Sequence, residues 1–239
     1  MIHAGIIAAG LGERLKTAAG GGPKPLVEVL GRPLIDWTVD GLRRAGVGRI
    51  TILLNSRGAP VRRRLEERFP DLRWRFLEWD SPSSWESFRR VCGEVAAEAD
   101  RFLVSTVDAL IPPPDVRLFA ARALSADADA ALALTLFVDD EKPLWADLDE
   151  GGRVTGVGPD ARERRWVTCG LYAVSRAAAR AQAGLSYGRL RDYWTALAKD
   201  ARVAGVPLGP TLDVDRPEDV ATAEDFIRRH GAWTQEQTA

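Results

Sequence analysis

The chain has 239 residues, 46% of them apolar, with 33 basic side chains against 34 acidic ones. That apolar share supplies a sizeable core and excludes wholesale disorder. A net charge of -1 excludes the strongly basic balance expected of a nucleic-acid or anionic-membrane binder. No run reaches the roughly 18 apolar residues of a membrane span, and the N-terminus lacks the basic-then-apolar pattern of a secretory leader. The expected setting is cytoplasmic, with neither nucleic acid nor membrane as partner. Cys92 and Cys169 are too few for a disulfide framework and lack metal-ligand spacing, so two reduced thiols are expected.

In chain order, residues 2 to 9 form an apolar run suited to a strand buried on both faces. After a glycine-rich loop, a helix is predicted from about Pro33 to a stop at Gly46. A strand over Arg49–Leu54 follows, then a basic helix over Ala59–Arg68, a strand over Leu72–Leu77, a helix over Ser84–Ala97 and a strand over Phe102–Val107. Strands alternating with helices of this length imply right-handed crossovers and a parallel sheet covered on both sides. The second half reads as a strand over Ala128–Phe137 and a hairpin of Leu144–Leu148 with Arg153–Val157. Further strands are expected at Val167–Val174 and Val203–Val206, with helices over Arg189–Lys199 and Pro217–Arg229. The fold class is therefore α/β, a Rossmann-like three-layer α/β/α arrangement around a mostly parallel mixed sheet. One domain over 1–233 is expected, with halves of about 1–110 and 111–233 and a frayed tail at 234–239.

The chemistry should gather at the carboxyl ends of the parallel strands. Directly after the first strand stand Ala8 and Ala9-Gly10-Leu11-Gly12-Glu13-Arg14-Leu15, then Gly20-Gly21-Gly22-Pro23-Lys24-Pro25-Leu26. Glycines there let backbone N–H groups approach an anion, and Arg14 and Lys24 add charge-assisted bonds to phosphate oxygens. A dinucleotide fingerprint is disfavoured because position 15 is Leu and the loop runs into a glycine-proline run. A Walker A loop would end in Gly-Lys-Ser/Thr, which is missing. Of the 33 basic side chains only Lys16, Lys24, Lys142 and Lys199 are lysines. A lysine set between two prolines in such a loop suggests a need for a compact ammonium rather than a planar fork.

Three blocks in order, Ala9–Leu15, Pro23–Leu26 and Gly31-Arg32-Pro33-Leu34-Ile35, resemble the signature of the sugar-phosphate nucleotidyltransferases, with their nucleotide-diphospho-sugar transferase fold. The resemblance implies that Ala8, Ala9, Gly10, Gly12, Arg14 and Lys24 embrace a nucleoside triphosphate, with Arg14 and Lys24 as catalytic cations. It implies Mg2+ as cofactor, held by Asp108 at the end of the strand Phe102–Val107 and by Asp213 in Leu212-Asp213-Val214-Asp215, with Asp215 in reserve. Asp108 also reads as a turn former, and Asp215 as the acidic approach to a helix starting at Pro217. Ser83 and Ser84 fall where the family reads the base, with Trp85 placed to stack. The same serines equally read as a helix cap. Gly170 resembles the glycine of the family's sugar-lining strand. Where many members carry Glu-Lys-Pro before that strand, this chain has Gly158–Arg165, so Arg162 and Arg165, with Arg164 between them, are candidates to grip the acceptor phosphate; the same arginines equally read as a solvated loop.

The implied reaction is attack by an oxygen of a sugar 1-phosphate or similar alcohol phosphate on the α-phosphorus of the triphosphate, releasing pyrophosphate. A phosphate monoester with its second pKa near roughly 6 is already ionised at neutral pH, so no catalytic His or Cys is expected. The motifs leave the base open among CTP, UTP, GTP and dTTP, and the acceptor open among sugar, choline, inositol and other polyol phosphates. Two alternatives stand beside this reading: a glycosyltransferase using Asp213-Val214-Asp215 as an Asp-x-Asp element, and a non-catalytic nucleotide-binding domain. Oligomeric state carries no signal.

Overall fold

The computed structural model describes residues 1–15, 22–136 and 142–230. Gly20 and Gly21 of the glycine run, Lys16, the end of the expected strand at Phe137, and the tail at 234–239 lie outside the described residues. The first half runs β1 (Ile2–Ala8), the two-residue strands β2 (Glu28–Val29) and β3 (Arg32–Pro33), α1 (Leu34–Arg44), β4 (Val47–Leu54), α2 (Ala59–Arg68), β5 (Arg73–Glu78) and α3 (Ser84–Ala96). The middle holds β6 (Arg101–Thr106), β7 (Ala109–Leu110), α4 (Pro113–Ser125), β8 (Ala130–Thr135), β9 (Trp145–Leu148) and β10 (Val154–Val157). The chain ends with β11 (Trp166–Ser175), α5 (Arg176–Ala181), α6 (Leu190–Asp200), β12 (Val203–Pro207), β13 (Leu212–Asp213) and α7 (Asp219–Arg229).

Nine strands form one mixed sheet in the order β10-β9-β11-β6-β1-β4-β5, with β8 pairing β11 and β12 pairing β8. The block β6-β1-β4-β5 is parallel throughout, and β11 then joins β6 antiparallel. Side chains alternate across the strands and supply a core on each face. On one face Ala4, Ile6, Ile50, Ile52 and Leu103 pack under α1, α2 and α4. On the other, Leu53, Phe102 and Val104 pack under α3, α5 and α6. The expected three layers are thus present. Among the described residues, no helix is long and apolar enough to cross a membrane.

Helix α4, which opens on Pro112-Pro113-Pro114, has no counterpart among the predicted elements. The first proline caps the helix and the next two occupy its first turn, where the missing N–H groups cost nothing. Helix α7 begins at Asp219 rather than Pro217. Between α1 and α2, Asp36 is 1% exposed, and its two carboxylate oxygens accept from Arg64 Nε and Nη2 at 2.9 and 2.7 Å. Arg64→Ala would leave that carboxylate buried without its fork. A loss of about 3 kcal/mol, or roughly 6–12 °C in Tm, is expected by calorimetry. A Tm within about 1 °C of the parent would contradict this role.

Candidate active site

Strands β1, β5 and β6 all end on the same side of the sheet, and the segments that follow them help to build a cleft of about 420 Å³. Its wall on the β1 side is Ala9, Gly10, Leu11, Gly12 and Arg14, and its opposite side is Ser81, Ser83, Ser84 and Ser87 before and within α3. Its floor holds Lys24, Thr106, Asp108 and Asp215. A short antiparallel ribbon sets the acidic pair side by side. Ala109 and Leu110 pair with Asp213 and Leu212, and the Val214 N–H donates to the Asp108 carbonyl at 3.0 Å. Farther along, the Asp219 carboxylate accepts from the backbone N–H groups of Asp215 and Arg216, both at 2.8 Å, which fixes the turn that aims Asp215.

Lys24 is the centre of the cluster. Its Nζ donates to Asp108 Oδ2 at 2.8 Å and to Asp215 Oδ1 at 2.6 Å, and Arg14 Nη2 reaches Asp215 Oδ2 at 3.3 Å. The lysine side chain is 10% exposed. Burial acts to lower its pKa, but the two carboxylates outweigh it and raise the ammonium to about 12. Burial likewise opposes ionisation of Asp108, and the Lys24 charge and hydrogen bond hold its carboxyl below the usual range. Lys24 is therefore a permanent cation at neutral pH, not a proton carrier.

These shifts set a pH window. The raised Lys24 value contributes stability that is complete below the ordinary lysine value of 10.5 and disappears as pH rises through about 12. The lowered Asp108 value contributes stability that is complete above the ordinary carboxylate value and disappears as pH falls through the depressed one. The Tm difference between the parent and Lys24→Met should then be constant over the two or so units below about pH 10, narrow above it as the ammonium is lost, and narrow toward acid as Asp108, left in the variant without the charge that holds it ionised, takes up a proton. A difference that changes steadily across the window in a calorimetric pH series would contradict the pairing.

The glycines divide the work. A Cβ added at Gly10 meets nothing within 4 Å, so that position faces open cleft. At Gly12, φ is +59° and a Cβ would lie 2.5 Å from Lys24 Cβ, so this glycine makes room for the lysine rather than for a ligand. Gly170 has φ +74°, and a Cβ there would come within 2.4 Å of Thr106 Oγ1, which places β11 hard against the cleft's floor.

Several expected site residues stand elsewhere or in other roles. Asp213 lies in β13 opposite Ala109, with its charge felt by buried Cys169 and Tyr172, while the reserve, Asp215, meets Lys24. Ser83 caps α3, its Oγ accepting from the Glu86 N–H at 3.2 Å, and Ser84 Oγ accepts from the Leu190 N–H at 3.1 Å, tying α3 to α6. Trp85 does not face the cleft. It is fully buried among Phe88, Tyr187 and Tyr193, with ring centroids 4.6 Å apart for the Tyr193 pair, so stacking on a base is excluded. Arg162 lines a separate cleft of about 630 Å³ between β10 and α6, and Arg165 sits 5.5 Å over the Trp166 ring. Their loop is wrapped on buried Asp147, whose carboxylate accepts the backbone N–H groups of Arg162, Glu163 and Arg164. Neither arginine is brought to Lys24. Both cysteines are free and buried, and burial pushes both thiols up, so neither is a poised nucleophile. Ser81, Ser87 and Thr106 also line the cleft; they lie within the segments singled out by the sequence without having been assigned a role there.

A cleft at the carboxyl end of a parallel block, with a glycine loop on one wall and an ammonium between two carboxylates below, agrees with residues 4–168 matching the MobA-like NTP transferase domain. The chain belongs to this family. It is 31% identical, over 95% of its length, to the bifunctional IPC transferase and DIPP synthase of Rubrobacter xylanophilus, covering 52% of that protein. The chain thus spans about half the length of that curated relative. Over 61% of its length it is 26% identical to the CMP-5'-(3-aminopropyl)phosphonate synthase of Streptomyces rubellomurinus, covering 26% of that protein. The inositol-1-phosphate CTP transferase of T. maritima superposes with a TM-score of 0.85 at 18% identity, over 100% of this chain and 98% of that one. UTP-bound UGPase from Acinetobacter baumannii superposes at 0.78 with 20% identity, over 95% and 93% of the two chains. These last two likenesses carry the family's α/β fold.

Proposed function

We propose that this chain transfers a cytidylyl group from CTP to a phosphorylated polyol, inositol 1-phosphate first among them, and releases pyrophosphate. The observation that carries nucleotidyl transfer is the Lys24 ammonium bridging Asp108 and Asp215 beneath the glycine loop. The shared fold with the inositol-1-phosphate CTP transferase of T. maritima, together with the likeness to the Rubrobacter IPC transferase over nearly the whole chain, supports the choice of base and acceptor.

An oxygen of the acceptor's phosphate attacks the α-phosphorus, the bond from that phosphorus to the pyrophosphate oxygen breaks, and pyrophosphate leaves with the electron pair. The nucleophile is already ionised, so positioning and charge neutralisation supply the catalysis. The Gly10–Gly12 backbone receives the phosphates, and Lys24 and Arg14 offset the charge that builds on them. Ser83 and Ser84 offer backbone groups to the base edge, since their hydroxyls hold α3 and α6. Gly170 lets β11 pack closely against Thr106 and Ala109 beneath the cleft.

The donor set fits Mg2+. Two hard carboxylates converge on one cation-sized point, here met by Lys24 Nζ, and among the described residues no group of three or more metal-ligating side chains gathers. That suits an ion held by one or two carboxylates and completed by substrate phosphates and water. Asp108 and Asp215 would hold it, with Asp213 close behind, and it supplies neutralisation of phosphate charge.

The test is a panel of CTP, UTP, GTP and dTTP against inositol 1-phosphate, glucose 1-phosphate and choline phosphate with Mg2+, read by pyrophosphate release. Release is expected with CTP and inositol 1-phosphate. Release confined to UTP with a sugar phosphate would overturn the substrate assignment, and release with no pair would overturn the reaction.

A further inference from the structure

Asn55 follows the last residue of β4 and is 4% exposed. Its Oδ1 accepts the Arg57 backbone N–H at 3.0 Å, which fixes which end of the amide is the oxygen and leaves Nδ2 directed at β1. Nδ2 donates to the Ala9 carbonyl at 3.3 Å and reaches the Gly10 carbonyl at 3.5 Å. The same corner is braced twice more, by the Gly58 N–H on the Asn55 carbonyl at 2.9 Å and by the Ser56 N–H on Asp80 Oδ1 at 2.9 Å.

A trans peptide places its C=O and N–H on opposite sides, and the described chain has no cis bonds. Drawing the Ala9 carbonyl toward β4 therefore turns the Gly10 N–H the other way, and drawing the Gly10 carbonyl does the same for the Leu11 N–H. Ala9, Gly10 and Leu11 all line the cleft, and the space around Gly10 on its Cβ side is open. A carbonyl turned into that space would instead present a partial negative charge to a phosphate.

We propose that Asn55 is a positioning residue for the nucleotide: it removes two carbonyls from the cleft wall and so presents the paired N–H groups of Gly10 and Leu11 to an anion. This rests on the reading of the cleft as a nucleotide site. Asn55 itself acts from behind the loop, through the peptide units it holds.

The test uses Mg2+ and no acceptor, with CTP as probe, or whichever of UTP, GTP and dTTP the parent binds if it does not bind CTP, and Kd measured by calorimetry for the parent, Asn55→Ala and Asn55→Asp from about pH 5.5 to about pH 8.5. Each variant is compared with the parent at the same pH, which cancels the titration of the triphosphate. Asn55→Ala should bind about 10-fold more weakly at every pH. Asn55→Asp keeps the acceptor for Arg57 but loses the donor, and should bind about 100-fold more weakly at the alkaline end. Its deficit should shrink toward the acid end, as the buried carboxyl takes up a proton that it can donate to the Ala9 carbonyl. If Asn55→Ala fails to fold, Asn55→Ser, neutral and too short to reach both carbonyls, replaces it. Parent-like affinity for the probe in a neutral variant overturns the proposal, even with Asn55→Asp weakened, because charge alone would then explain the aspartate. A pH-independent deficit in Asn55→Asp also overturns it. A parent protein that binds none of the four triphosphates overturns the reading of the cleft, a result distinct from either.

Discussion

Lys24→Met lowers kcat by about 10²–10³-fold while the protein still folds. Methionine is unbranched and close to lysine in length, so it fills the slot against Gly12 that leaves Lys24 10% exposed. What disappears is a fixed cation between two carboxylates, at the place where phosphate charge must be met. In the variant, Asp108 loses its counter-ion and Asp215 keeps only Arg14, at 3.3 Å. Added Mg2+ should therefore raise the Tm of Lys24→Met more than that of the parent, because the ion no longer competes with an ammonium held at 2.8 and 2.6 Å. Equal Mg2+ shifts in parent and variant, with kcat within about three-fold of the parent, would remove Lys24 from the centre of the account.

The second large effect concerns the acidic pair. Asp108→Ala should lower kcat by about 10³-fold, and Asp215→Ala by about 10²-fold, each with a raised Mg2+ requirement in steady-state kinetics. Asp213→Ala should cost less than either, since Asp213 sits in β13 opposite Ala109 while Asp215 contacts Lys24 and Arg14. The order of the three losses separates geometry from motif spacing. A loss for Asp213→Ala exceeding that for Asp215→Ala would place the second metal contact on the earlier residue.

The elements of the parallel half were legible because their signals are local. The run 2–9 is apolar on both faces, Pro33 and Gly46 bracket α1, and Ala59–Arg68 carries its own proline start and basic end. Helix α4 was not among the predicted elements: it opens on Pro112-Pro113-Pro114 with no side-chain cap to mark its start. Within the site, Gly10, Arg14, Lys24 and Asp108 were named from their blocks and meet in one cleft. The choice between Asp213 and Asp215 was not legible, because it depends on the ribbon between Ala109–Leu110 and Leu212–Asp213, a pairing across about half the chain. Trp85 was misplaced for a related reason. Its neighbours Tyr187 and Tyr193 arrive from the far end of the chain and bury it, whereas the local pattern shows only an aromatic residue after two serines. Asn55 gave no signal at all, since a lone asparagine after a strand reads as a turn former.

The most direct measurement of the central claim is a 31P NMR time course of the protein with Mg2+, CTP and inositol 1-phosphate. The acceptor's monoester resonance should be replaced by a coupled diphosphate pair while pyrophosphate appears in equal amount, with no change in the Asp108→Ala sample. Orthophosphate with CDP, or an acceptor resonance that persists while CTP is consumed, would contradict the claim.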